Sequence, residues 1–166
     1  METALAKVSS DIVMAADRGV VSLLALLDLS AAFDKVDHGI LLRRLHTSDH
    51  INGLALDWFR SYLTGRRESV LYGGDTTSAA LVEYGVPQGS VLGPLLFVLY
   101  TSDVPRVVNE CGLLSVVYAD DTQIYIQVKQ RDIPVANVRV EDCIAKVKQW
   151  LASNQLRLNL SKTEAL

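Results

Sequence analysis

Cysteine is nearly absent from this chain of 166 residues, which carries only Cys111 and Cys143. Without secretory context the two read as free thiols of a reducing compartment rather than as a bridge. Histidine is as scarce, and His38, His46 and His50 fall in no zinc pattern. No apolar run reads as a membrane span, because Val20 to Leu27 and Val91 to Tyr100 are too short or too interrupted. Charges spread over Met1 to Arg18 leave no signal-peptide pattern. Basic residues give no excess either. The formal charge of -3 and the pI near 5.6 argue against strong unaided nucleic-acid binding. The local group Arg43, Arg44, Arg60, Arg66 and Arg67 is explained at least as well by a solvated charged face. No repeat recurs at solenoid spacing, and the length suits one domain with a real core. What the chain has in plenty is apolar side chain, 49% with a mean hydropathy of +0.22. That is high for a free-standing soluble domain, so part of the surface is expected to meet neighbouring segments.

The stretch Val116 to Tyr125 draws attention first. Two β-branched and aromatic runs flank an Ala-Asp-Asp tip, the pattern of a β-hairpin with a short turn. Holding Asp120 and Asp121 both ionised costs free energy unless a cation sits beside them, so the pair is a metal-site candidate. Asp is also a favoured turn residue, and on local grounds alone the pair reads first as a turn former.

In chain order, Glu2 to Asp17 places Leu5, Val8, Ile12 and Ala15 at helical spacing, with Gly19 as a stop. Val20 to Leu29 reads as a strand buried on both faces, interrupted by Asp28 near its end. A carboxylate there belongs at the mouth of a sheet, or else caps the next helix. Two helical pieces follow between Gly39 and Leu63, with Trp58 expected as a core anchor. Arg67 to Val86 reads as a hairpin around Gly73-Gly74-Asp75. Gly85 to Ser90 is a loop of residues that fix or permit unusual backbone, leading into a helix from Pro94 to about Asp103 that Pro105 would stop. A plain loop into a helix would use the same residues. Ala136 to Ala152 is helical in period, and Leu156 to Leu160 reads as a short strand. This set of elements predicts an α+β fold, an antiparallel sheet with helices on one face in the split βαβ, ferredoxin-like arrangement. Such a sheet lets Asp28 and Asp120 meet although they are distant in the chain.

Four segments carry a resemblance: Leu27-Asp28-Leu29-Ser30-Ala31-Ala32-Phe33-Asp34, Gly85 to Pro94, Tyr118-Ala119-Asp120-Asp121, and Leu158 to Glu164. In this order they resemble the palm motifs of reverse transcriptases, most closely those of non-LTR retrotransposons of the jockey-like and LINE groups. The likeness runs from about Glu2 to the last residue. It implies an RNA-directed DNA polymerase palm with part of the fingers, spanning 1–166. Asp28, Asp120 and Asp121 would be catalytic, holding two Mg²⁺ ions, or Mn²⁺ in their place. Such ions sit about 3.5–4 Å apart and stabilise the attacking and leaving oxygens of an in-line phosphoryl transfer. Phe33 matches the aromatic ring that packs on the incoming sugar and rejects a 2′-hydroxyl, although a core Phe would look the same. Gln88 and Gly89 would border the nascent base pair, and Lys162 would lie near the leaving pyrophosphate as acid or electrostatic stabiliser, unless it is a solvated surface lysine. Asp34 and Asp37 are assigned structural hydrogen bonds around their turn.

The resemblance further implies an RNA template, a DNA primer and deoxynucleotides as partners, no membrane, and an intracellular, nuclear place for target-primed integration. Upstream fingers, thumb and endonuclease segments of the same polyprotein are expected outside this stretch, so the piece by itself is expected to be inactive or weak. A non-catalytic remnant of a mobile element, acting through its apolar faces or without function, is the alternative.

Overall fold

The computed structural model describes residues 2–166, with side chains from Leu5 onward. In chain order the elements are α1 (Glu2–Asp17), β1 (Val21–Leu27), α2 (His38–Thr47), α3 (Leu54–Leu63), β2 (Arg67–Glu68), β3 (Leu71–Tyr72), β4 (Asp75–Thr76) and β5 (Ala80–Leu81). They continue as α4 (Leu92–Tyr100), α5 (Val104–Glu110), β6 (Leu114–Tyr118), β7 (Asp121–Val128), α6 (Ile133–Ser153) and β8 (Glu164–Ala165). The chain divides into two compact units, one of residues 1–32 with 101–166 and the other of residues 33–100. Among the described residues no helix is long and apolar enough to cross a membrane.

The first unit is built on one antiparallel sheet of strand order β6-β7-β1-β8. With α5 and α6 in the connections, this is the split βαβ order expected from the sequence. Alternation decides the faces. Ala25, Leu27, Thr122, Ile124 and Ile126 are buried on the face that meets the α6 side, where Val140, Cys143, Val147 and Leu151 are also buried. Ser22, Leu24, Leu26 and Gln123 on the opposite face are only half-buried. The expectation that β1 is buried on both faces is therefore corrected, because an antiparallel strand needs only one covered face. On that opposite face α1 covers one end of the sheet. Tyr125 donates its hydroxyl to Asp11 at 2.5 Å, and Gln127 donates to the Asp11 carbonyl at 2.8 Å.

The second unit holds α2, α3, the β2–β5 hairpin and α4 around buried Leu41, Leu45, Leu63, Leu96 and Phe97. Asp37 caps α2, its Oδ1 accepting from the Ile40 N–H at 2.8 Å. The glycine-turn hairpin is present, pairing Leu71 with Thr76 and Arg67 with Leu81. Trp58 is not a core anchor. It is 53% exposed and stacks on Tyr62 one turn along α3, with ring centroids 5.5 Å apart, so the burial of this helix falls to Leu63.

Two other expectations shift. Pro105 does not end a helix but opens α5, where a missing N–H costs nothing. No strand forms over Leu156 to Leu160; Leu158 makes a single bridge to Leu29, and the edge strand is β8 instead.

The Asp11 contact predicts a pH response. Lys7 and then Tyr125, each bonded to it, hold the Asp11 carboxyl below its usual 3.8, while burial and then Asp11 push the Tyr125 hydroxyl up to about 12. A depressed carboxyl contributes stability that is lost as pH falls below about 4, and a raised phenol contributes stability lost as pH rises above about 10. The contribution of this contact to the urea midpoint should be constant between these limits and be lost outside them. Tyr125→Phe should lower the urea midpoint at neutral pH and reduce the alkaline loss, the remainder coming from Tyr100 and Cys143, which burial also pushes up; an unchanged alkaline limb would refute this account.

Candidate active site

The β1–β7 ladder fixes the first set of side chains. Leu27 faces Thr122, and continuing that register by one step sets Asp28 opposite Asp121, on the same face of the sheet as the Asp11 contact but at its other end. The β6–β7 turn is as short as a hairpin permits. Tyr118 pairs with Asp121, leaving Ala119 and Asp120 as the tip. Ala119 pays for that turn with a left-handed φ of 54°, a conformation L residues disfavour by about 1–2 kcal/mol.

Like charges crowd this tip. The Asp121 carboxyl is raised above its usual 3.8, by partial loss of water first, then by the charge of Asp120, then by that of Asp28. Because Asp121 as a residue is exposed, solvent limits the first cause, and the two neighbouring carboxylates define the character of the site. Among the described residues no group of three acidic, histidine or cysteine side chains is gathered closely enough to hold a metal ion. The donors are nevertheless of the right kind. Crowded carboxylate oxygens at the open end of a sheet suit a hard divalent cation, which would remove the repulsion that each adds to the next.

Asp28 is held from the chain's last segment. Asn159 donates its Nδ2 to Asp28 Oδ2 at 2.9 Å and its backbone N–H to the Asp28 carbonyl at 2.9 Å. Because a carboxylate only accepts, the amide nitrogen must face Asp28, and Ser161 donates to the remaining Asn159 Oδ1 at 2.7 Å. The Lys162 N–H and the Thr163 hydroxyl both donate to the Asn159 carbonyl, so the turn around Asn159 is closed on itself. Sequence reasoning passed over Asn159. The signal was available, since a neutral donor in a motif that meets a strand-end carboxylate can hold it without neutralising it. The side chain of Lys162 is exposed.

The second set lies within the other unit. The Phe33 ring is half-buried, its centroid 4.8 Å from that of Phe97. Its backbone is stitched to the Gly85–Ser90 loop: Val86 N–H donates to the Phe33 carbonyl at 2.9 Å and Gly85 N–H to the Val36 carbonyl at 2.8 Å. Buried His38 adds a third tie through Nε2 to the Gly85 carbonyl at 2.8 Å, and as that oxygen only accepts, Nε2 carries the proton. Gly85 has a φ of 86°, and a Cβ there would lie 3.0 Å from Asp34 Cα, so the two segments approach as only glycine allows. Gly89 has a φ of 78° with open space around it, so its requirement is conformational alone. Gln88 is exposed and donates Nε2 to Asp34 Oδ1 at 3.0 Å.

Thus Asp28, Asp120 and Asp121 come together in one unit, with Lys162 on the turn that follows Asn159, while Phe33, Gln88 and Gly89 are gathered in the other. The chain as a whole is similar to known proteins. Residues 6–166 match the family model of reverse transcriptase (RNA-dependent DNA polymerase). The chain is 32% identical over 141 residues to the RNA-directed DNA polymerase from mobile element jockey of Drosophila funebris, covering 82% of this chain and 15% of that protein. It is 34% identical over 143 residues to the probable RNA-directed DNA polymerase from transposon X-element of Drosophila melanogaster, again covering 82% and 15%. A solved telomerase from Candida albicans superposes with a TM-score of 0.70 at 16% identity, over 97% of this chain and 31% of that one, which shows the fold alone. The chain therefore spans about 15% of the length of the curated relatives it matches. On the match over residues 6–166, this chain belongs to the reverse transcriptase family, and the relatives it resembles are proteins of mobile elements.

Proposed function

We propose that the chain is the palm of an RNA-directed DNA polymerase, with part of the fingers, which adds deoxynucleotides to a primer 3′-hydroxyl within a longer polyprotein. The observation that carries this reading is the meeting of Asp28 with Asp120 and Asp121 across the β1–β7 register. Asp28, Asp120 and Asp121 are the residues that would hold two Mg²⁺ ions, or Mn²⁺ in their place. When bound, the ions supply the charge that activates the 3′-hydroxyl and neutralises the triphosphate. The protein's part is positioning. Asn159 keeps the Asp28 carboxylate aimed without cancelling its charge, and Ala119 holds the acidic tip in its tight turn. Phe33, braced by Phe97, presents a ring against the incoming sugar, Gln88 and Gly89 border the base pair, and Lys162 stands by the leaving pyrophosphate. The partners would be an RNA template, a DNA primer and the fingers and thumb segments of the same polyprotein, in the nucleus if integration is target-primed.

A second reading, a non-catalytic remnant that works as an interaction module, draws on the exposed apolar residues of the hairpin, Leu71 at 72% and Tyr72 at 86%. Extension by a polymerase in which residues 6–166 replace the matching stretch of the jockey protein separates the two. With Mg²⁺ and an RNA template this chimera should extend a primer, and Asp120→Asn should abolish extension; a well-folded chimera that never extends would sink the polymerase reading.

Metal binding has its own readout on the chain itself. Because the folded value of Asp121 is raised, its ionised form weakens the fold at neutral pH. Mg²⁺ should raise the melting temperature, and Asp121→Asn should raise it without metal and remove the Mg²⁺ response, by about 2–4 °C for each kcal/mol of repulsion relieved. A melting temperature indifferent to Mg²⁺ in the unsubstituted chain would count against a cation at this tip. In the chimera, Asn159→Ala should lower extension about 10–100-fold, as expected for a partner that orients a metal ligand; wild-type rates would show that Asp28 needs no such support. Phe33→Ala should let ribonucleotides in more readily, and unchanged sugar discrimination would remove the gate assignment.

A further inference from the structure

The second unit contains an open cleft of about 690 Å³ lined by Asp34, Arg66, Arg67, Tyr84, Pro87 and Gln88, among others. Its chemistry is uneven. Arg66 and Arg67 line it next to the hairpin, and Gln88 lines it from the loop. An amide can present either its oxygen or its nitrogen to a ligand, and here the choice is made by Asp34. A carboxylate only accepts, so the 3.0 Å contact must be a donation from Gln88 Nε2, which leaves Gln88 Oε1 as an acceptor available to the cleft. The position of Asp34 is in turn dictated by the main chain: the Phe33–Val36 segment is tied to Gly85 and Val86 by two backbone bonds, and Gly85 packs directly against the Asp34 Cα.

We propose that Asp34 is a positioning residue that fixes the orientation of Gln88, so that the cleft takes one unit of a nucleic-acid strand, its phosphate at Arg66 and Arg67 and a hydrogen-bond donor at Gln88 Oε1. The inference rests on the polymerase reading for the presence of a strand. It adds which way Gln88 points, what sets it, and which basic residues carry the phosphate. Arg66 and Arg67 supply the forked donors that suit a phosphate, while Glu68 in the same cleft offsets part of their charge and makes the Gln88 contact count. The donor can be the 2′-hydroxyl of a ribose or the exocyclic amino group of a base; both are donors that an amide oxygen reads.

The test uses the ¹⁵N-labelled 166-residue chain, titrated at low salt with a single-stranded RNA decamer, the DNA of the same sequence, and the RNA with inosine in place of guanine. RNA should move the Gln88 side-chain amide and the Arg66 and Arg67 Nε signals. If the donor is the 2′-hydroxyl, DNA should lose the Gln88 response and keep the arginine response; if it is the guanine amino group, inosine should do so. Asp34→Asn, whose amide can also donate and so frees Gln88 to turn over, should weaken RNA binding about tenfold, equivalent to about 1.4 kcal/mol, with the Gly85 amide still protected from exchange. Asp34→Glu should recover part of the loss, which a purely structural Asp34 would not permit. Arg66→Ala and Arg67→Ala should each lower the salt slope of binding by about 1. Should Asp34→Asn fail to fold, the arginine variants decide: unchanged slopes overturn the proposal. It is overturned as well if RNA leaves Gln88 and both arginines unmoved, or if Asp34→Asn binds as well as the unsubstituted chain. A Mg²⁺ titration of the same sample reads Asp28, Asp120 and Asp121 independently. A normal Mg²⁺ response with a silent Gln88 removes only this inference, whereas a silent Mg²⁺ titration strikes the polymerase reading itself.

Discussion

The antiparallel pairing of β1 with β7 is the constraint on which the rest depends. Side chains in paired strands alternate strictly, so one register decides both what is buried and what is presented. With Leu27 opposite Thr122, the residues Ala25, Leu27, Ile124 and Ile126 go to the core on the α6 side. The same register sends Asp28 and Asp121 to the other face. A slip by one residue would put the carboxylates into the core and the aliphatic residues into water. The apolar packing of β1 and β7 thus stabilises the arrangement that holds like charges together, and the fold carries the cost of their repulsion.

That cost is spread over a small number of supports. Asn159 reaches Asp28 with a neutral donor, so the carboxylate is oriented while its charge is kept for a ligand. Ala119 accepts a left-handed backbone so that Asp120 and Asp121 follow the strand without a longer loop. Away from the acidic end, α1 is joined to the sheet through Asp11, Tyr125 and Gln127, a polar contact whose members satisfy one another in a mostly buried place. Among the described residues no cationic side chain pairs with the acidic end. These unfavourable electrostatics are what the proposed cation would relieve.

In the second unit the same economy appears in the backbone. The segment after Phe33 and the loop around Pro87 are joined by main-chain bonds, a buried His38 and a close glycine contact. Such ties leave the side chains of Asp34 and Gln88 free to engage each other at the surface. The unit also exposes much of its apolar content on the hairpin and on α3, where Trp58 and Tyr62 stack on one another. This accounts for an apolar fraction that is high for the size of the core.

Much of this was legible in the chain as letters. The hairpin around Ala119 and Asp120, the amphipathic α1 and α6, the glycine turn and the acidic pair all follow from local period and turn chemistry, which need no knowledge of distant residues. The four segments and their order named the family. Burial and partnership were not legible, because they depend on which residues meet across long separations. Trp58 looked like a core residue, yet its helix turned another side inward. Leu156 to Leu160 looked like a strand, yet its neighbours offered one bridge. Asn159 looked like one polar residue among several until the sheet brought it to Asp28, 131 positions away. Sequence alone determined the elements and the kinds of donor atoms; only the tertiary register decided which carboxylates face each other, since pairing between strands is a long-range choice made by the whole core.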